Sequence, residues 1–437
     1  MNNSQNKIKR IIQLCGIALS SLTLAVFFVI GCLWFARPEE SELENRRLTA
    51  FPEFTWESFI SGEYTSQISL WFSDTFPTRE GMIGVNDKIH QLYGIFSDER
   101  AESGGDADEI DTGKPMDKID VDGEVDIELD ANEGAGGDVI EGYYCVGDTA
   151  YELYYFNKKN SEAYVQLVAK TQSKLRGKVN VYDMIVPLSY EFHLGSDVAS
   201  GLGASDCSDA IDYMYSGFDG SGVKTVDICS NMMKHRDEYL YFRADHHWTA
   251  RGAYYAYEAF CKTAGIEATP LDSYQRLQFN GFLGTLYNHT KNENLKSNPD
   301  YVEAFVPMGT NTIKVTERNG KTSNFSIVNK ATDSYYSAAG SKYNCFIAGD
   351  NPISEIHNPN KSDGSTIVVV KESFGNALVP FLVDSYEYVY VIDYRYFKQD
   401  LCEFALDKGA DDILFINNVI ATSAGARLNE LKGIIGD

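Results

Sequence analysis

Two short stretches of this 437-residue chain combine residue types that can do acyl chemistry. The first is Arg243-Ala244-Asp245-His246-His247-Trp248-Thr249. On an extended segment residues two apart project from the same side, so Asp245 stands where a carboxylate orienting the His247 imidazole has to be. The residues that follow predict a helix that Thr249 caps and Gly265 ends, and its positive N-terminus favours a neutral imidazole able to accept a proton. The same spacing also serves an Asp and His pair that only satisfy one another at a helix start. His246 points the other way and spacing supplies no third ligand, so no metal site is predicted.

The second stretch is Val368-Val369-Val370-Lys371-Glu372-Ser373-Phe374-Gly375-Asn376-Ala377, in which a buried strand runs into a helix and Ser373 occupies the turn. A serine there lies at the carboxyl edge of a sheet, beside N–H groups of the first helical turn that can stabilise an oxyanion. Gly-x-Ser-x-Gly is absent, and a plain serine N-cap fits the same residues. Four further residues are candidates for oxyanion or substrate binding. Arg395 follows a strand expected over 388–392, at the same sheet edge, and suits either an anionic sugar, the oxyanion or an ion pair with Asp393. Asn376 can donate to the oxyanion or decorate the helix start. Lys371, on the strand face of Ser373, suits a substrate or an ion pair. Trp248 suits a sugar platform or a buried anchor.

Positioning these groups requires a sheet. Unbroken β-branched runs over 366–370, 388–392 and 413–416 alternate with helical patterns over 378–383 and 397–406, and a further strand is expected over 179–186 after a helix over 161–175. Such alternation indicates an α/β fold with a mainly parallel sheet covered on both faces, whose ligands bind at the carboxyl ends of the strands. A hairpin over 143–146 and 151–156 opens this domain, which is expected to span 142–437.

The residues before it fall into four segments. Lys7, Lys9 and Arg10 precede an uncharged apolar run over 11–36, and about 20 residues suffice to span a bilayer. The basic flank places 1–10 in the cytoplasm, and with Glu39, Glu40, Glu42 and Glu44 after the run the rest is expected outside. Val29-Ile30-Gly31-Cys32 also resembles a lipobox, which would replace the span by a lipid on Cys32. Residues 37–96 read as a membrane-proximal helical segment packing on the main domain, including a helix after Thr78. Residues 97–141 read as an acidic disordered insertion, with sixteen acidic and three basic residues between Asp98 and Asp138 in a chain of net charge −25. That balance excludes nucleic acid as a partner. Asp120-x-Asp122-Gly123 fails as a calcium loop, because Lys118 and Leu129 stand where carboxylates belong. Six cysteines outside the apolar run permit disulfides, and no zinc-ligand spacing occurs.

Taken together, Arg243 to Ala253, Gly349-Asp350-Asn351-Pro352 through Asn360, and Lys371 to Phe381 resemble the bacterial DHHW protein family, named for the residues standing here as Asp245 to Trp248. Glu44-Asn45-Arg46-Arg47-Leu48 and Asp74-Thr75-Phe76-Pro77-Thr78-Arg79 fit the same family. The family is similar to the periplasmic alginate O-acetylation proteins, whose SGNH-hydrolase-like, three-layer fold carries an Asp-x-His-Trp motif ahead of the serine, in permuted order. The resemblance implies Asp245 as orienting acid, His247 as base and Ser373 as nucleophile, with no cofactor. It further implies an extracytoplasmic O-acetyltransferase of a surface or secreted polysaccharide, served by a membrane-bound O-acyltransferase that supplies acetyl. An O-acetylesterase, and a non-catalytic glycan-binding or assembly protein on the same fold, remain the alternatives.

Overall fold

The β-branched runs form the centre of an eight-stranded sheet in the computed structural model of the chain, which describes residues 37, 40–41, 46–49, 51–52, 54–60, 63–76, 99–102, 107–128, 142–336 and 339–436. The strands are β1 (Asn180–Val186), β2 (Lys224–Thr225), β3 (Thr312–Thr316), β4 (Thr322–Ser326), β5 (Ile353–His357), β6 (Thr366–Lys371), β7 (Tyr388–Asp393) and β8 (Asp412–Asn418). Their spatial order is β4-β3-β5-β7-β6-β8-β1-β2. From β7 to β2 every pairing is parallel. At the other end β5, β3 and β4 add on antiparallel. The sheet is therefore mixed, which corrects the expectation of a mainly parallel one. The added strands alternate more and less exposed side chains, as in β3 (Thr312–Thr316), and lack the continuous Val/Ile run that marks a strand buried on both faces.

Both faces are covered. Ile367 and Val369 join one core with the helices α3 (Ala250–Ala264) and α4 (Gly375–Leu382). Val368 and Val370 join a second core with α1 (Lys158–Leu175), α2 (Cys207–Ser216), α5 (Leu401–Asp407) and α6 (Gly425–Ile435). These four apolar side chains of β6 are fully buried, each contributing about 1.5–3 kcal/mol through removal from water. This fixes the register of the strand that leads into Ser373. Helix α3 forms as its sequence directs: Thr249 Oγ1 accepts from Gly252 N at 3.3 Å, and Gly265 ends the helix with φ of 74°.

The acidic segment departs from its expected disorder over 107–128. Met116 and Val125 are buried, and Ile110, Ile119, Val121 and Ile127 pack on the core containing α1 and α2. Asn160 accepts from Glu128 N at 2.8 Å and donates to Glu128 O at 3.0 Å, while Gln166 donates to Asp120 O at 2.7 Å. The cause is a period of two hidden in the composition. Ile119, Val121, Val125 and Ile127 face the core while Asp120, Asp122, Glu124, Asp126 and Glu128 alternate with them toward solvent. The remainder of 103–141 lies outside the described residues.

The chain divides into two units, Met1–Ser41 with Arg47–Tyr93, and Glu42–Arg46 with Gly94–Asp437. In the first, helices Trp56–Ile60 and Glu63–Asp74 are described, and the Arg37 guanidinium lies 4.6 Å over the Trp71 ring. Among the described residues no helix is long and apolar enough to cross a membrane. The tail 1–10, the apolar run 11–36 with Cys32, and the helix expected after Thr78 lie outside them. The cysteines Cys145, Cys207, Cys229, Cys261, Cys345 and Cys402 are thiols.

Candidate active site

Asp245 and His247 sit in a tight loop closed by a bridge between Tyr241 and Trp248. The loop aims the imidazole across the top of the sheet. His247 Nδ1 lies 2.6 Å from Asp245 Oδ1, and His247 Nε2 lies 2.8 Å from Ser373 Oγ, 126 residues further along the chain. A Nδ1–H donated to the carboxylate leaves Nε2 as the acceptor of the serine proton, the tautomer that general-base catalysis needs.

Asp245 is held by residues that carry no recognisable sequence pattern. Its Oδ2 accepts Thr285 N at 2.9 Å and Thr285 Oγ1 at 3.1 Å. Gly284 lies so close that a Cβ there would stand 2.0 Å from Asp245 Oδ2. Burial pushes the Asp245 carboxyl up, but the His247 imidazole, by its charge and hydrogen bond, together with His246 and the Thr285 N–H, outweighs burial and holds it below the usual carboxylate range. Asp245 is therefore ionised at neutral pH. Tyr343 stacks on the His247 ring with centroids 4.1 Å apart and donates its hydroxyl to Ser373 O at 3.2 Å. Burial pushes the Tyr343 phenol well up, so it remains a donor.

Ser373 stands between β6 and α4, where Gly375 lets the helix begin directly over the strand: a Cβ on Gly375 would meet Lys371 Cβ at 2.6 Å. Beside it Glu372 accepts from Ser373 Oγ and from Phe374 N, each at 3.1 Å. Neither Glu372, Tyr343, Thr285 nor Gly284 is singled out by the sequence. Only the hydrophobic strand before Glu372 hinted at its place.

The four candidate binding residues all make structural contacts, the alternative that the sequence left open for each. Trp248 is fully buried and its Nε1 donates to Phe374 O at 2.9 Å, an anchor under the nucleophile with no face for a sugar. Lys371 Nζ lies 2.7 Å from Asp350 Oδ1 and 2.9 Å from Asp393 Oδ2. Arg395 Nη2 lies 2.9 Å from Asp350 Oδ2 and 2.8 Å from Asp393 Oδ2. Two cations and two carboxylates thus balance in a buried network, which breaking on one side would leave uncompensated. Asn376 gives one amide N–H to Asp350 Oδ1 at 2.9 Å, and the amide carries a second N–H that this bond does not use. Asp350, absent from the expected site, is the hub that joins all three.

Asp245, His246 and His247 offer ligand atoms within 4.8 Å of one another. Both oxygens of Asp245 and both nitrogens of His247 already take part in the bonds just described, and His246 Nδ1 pairs with Thr285 Oγ1. The donor set fits a serine triad better than a cation.

Known proteins resemble this chain in sequence and in fold. The sequence profile described as "DHHW protein" matches residues 44–112 and 107–392. No curated protein matches the chain. A DHHW family protein from Eubacterium siraeum is 27% identical with a TM-score of 0.60, covering 68% of this chain and 96% of that one. Bacillus cereus PatB1 with a sulfonyl adduct is 17% identical with a TM-score of 0.53, covering 66% and 97%. PatB1 in a second structure is 19% identical with a TM-score of 0.52, covering 64% and 96%. The PatB1 structures share the fold.

Proposed function

The chain belongs to the DHHW protein family, and from that premise we propose that it is a serine-dependent O-acetyltransferase of a surface or secreted polysaccharide, with an SGNH-like catalytic fold. One observation carries the proposal: the relay of 2.6 Å and 2.8 Å that joins Asp245, His247 and Ser373 from distant parts of the chain. Ser373 Oγ attacks the carbonyl carbon of an acetyl ester while His247 Nε2 takes its proton. The tetrahedral intermediate collapses, the ester's alkoxide leaves with that proton, and acetyl remains on Ser373. A glycan hydroxyl then attacks the acyl-serine as His247 takes its proton, and the imidazolium returns the proton to Ser373 Oγ. Asp245 stabilises the imidazolium in each half-reaction.

Water as the second nucleophile gives an esterase with the same residues, and the exclusion of water decides between the two. We favour transfer because of the resemblance to the alginate O-acetylation proteins. The apolar 11–36 run with its basic flank anchors the domain outside the cell membrane, with a lipid on Cys32 as the alternative, and on the family resemblance a membrane-bound O-acyltransferase supplies acetyl. The test is whether incubation with an activated acetyl ester leaves acetyl on Ser373, and whether a soluble glycan then removes it as acetylated sugar. Acetyl on another residue refutes the assignment, and release only as acetate favours the esterase.

A further inference from the structure

Glu372 is buried beside the nucleophile, and a single oxygen of its carboxylate makes two contacts that acyl transfer needs for other purposes. Oε2 accepts the Ser373 hydroxyl at 3.1 Å and the Phe374 N–H at 3.1 Å. The other oxygen, Oε1, accepts Asn418 N at 3.0 Å and so ties the nucleophile's turn to the end of β8. His247 Nε2 competes for the same hydroxyl from 2.8 Å.

A serine hydroxyl has one proton to give. While it is donated to Glu372 it is not donated to Nε2, and the base cannot remove it as Oγ attacks. The second contact acts in the same direction. At a strand-to-helix elbow the N–H of the residue after the nucleophile is a natural donor to the oxyanion, and here a carboxylate oxygen already fills that place. An oxyanion forming on the substrate would also meet a like charge.

We propose that Glu372 is a brake on Ser373: in the resting site its carboxylate holds the serine hydroxyl and the Phe374 N–H, and acylation requires it to release both. The proposal rests on the reading of Ser373 as the acyl-accepting nucleophile. Glu372 is a positioning residue in this scheme, since it acts on the nucleophile and never on the substrate. A transferase is served by such a brake, because a serine kept off its base consumes no acyl donor until the site is engaged.

The experiment compares the full chain with Glu372→Ala and Glu372→Gln. Each is treated with phenylmethanesulfonyl fluoride and with p-nitrophenyl acetate, the modified residue is located by peptide mass spectrometry, and melting midpoints are recorded alongside. Ser373 modification is expected to speed up about tenfold or more in Glu372→Ala, the scale of one charge-assisted hydrogen bond, and by a smaller factor in Glu372→Gln, whose neutral carbonyl is a weaker acceptor. The melting midpoint is expected to fall in both, since three hydrogen bonds are disturbed. A residue that only supports the turn predicts the opposite sign for the rate, so slower or unchanged modification in folded variants overturns the brake while leaving Ser373 as nucleophile. If Glu372→Ala does not fold, the sign of the change in Glu372→Gln decides. Absence of modification at Ser373 in every form, wild type included, removes the nucleophile assignment and the brake with it.

Discussion

Gly284→Ala is expected to disable the triad without altering any of its members. The added Cβ would lie 2.0 Å from Asp245 Oδ2, 2.4 Å from its Cβ and 2.5 Å from its Cγ. Side-chain carbons do not approach so closely, so the carboxylate must retreat by about 1 Å or the backbone carrying Thr285 must, and either breaks the clamp of 2.9 Å and 3.1 Å. A displacement of about 1 Å costs on the order of 10²-fold in rate, and complete loss of the orienting carboxylate about 10⁴-fold. The loss in kcat/KM on p-nitrophenyl acetate should therefore lie between those limits, with a stability cost of about 1–3 kcal/mol for overpacking. Gly433→Ala is the control. Gly433 lies inside α6 with open space about its Cβ position, so alanine there should leave activity unchanged and raise stability by about 1 kcal/mol. The reasoning fails if Gly284→Ala, folded by circular dichroism, keeps activity within about twofold of wild type.

Other consequences follow from the packing. Met116→Ala should cost about 2 kcal/mol or more in urea denaturation, as for a core methionine; no loss would mean that the 107–128 strap is dispensable. Asp350→Asn leaves Lys371 and Arg395 sharing one carboxylate, and a melting midpoint unchanged from wild type would contradict the balance argued for that network. Burial pushes the Asp183 carboxyl up to about 7, against the hydrogen bond from Tyr164. A carboxyl raised in the folded state binds more protons folded than unfolded, so stability should decline as pH rises from the unfolded value of about 4 to about 7. Asp183→Asn should flatten that decline and be more stable than wild type at pH 8 by up to about 4 kcal/mol; equal pH dependence in denaturation titrations would exclude it.

The sequence made the reacting groups legible for a physical reason. Asp245 and His247 are two apart, near enough to pair even from the tight loop found in place of the expected extended chain, Ser373 follows a run of Val that can only be a buried strand, and the Thr249 cap and Gly265 stop mark a helix by local chemistry alone. What stayed hidden depends on distant contacts. Thr285 and Gly284 matter because a turn forty residues from Asp245 is folded against it, and Asp350 because the antiparallel edge delivers it beside Lys371. Arg395 and Lys371 lie at the expected sheet edge, and the ion pair of Arg395 with Asp393 was among the readings of the sequence, but the share of both charges taken by Asp350 was not. The acidic strap was misjudged because net charge hid a regular alternation of Ile and Val with Asp and Glu, enough to lay one apolar edge on the core.

The most direct measurement is the mass of the protein after brief exposure to an activated acetyl ester, read on wild type, Ser373→Ala and His247→Ala. A triad predicts a single acetyl group on Ser373 in wild type, none in Ser373→Ala, and formation slowed by several orders of magnitude in His247→Ala. Equal acetylation of wild type and Ser373→Ala would contradict it.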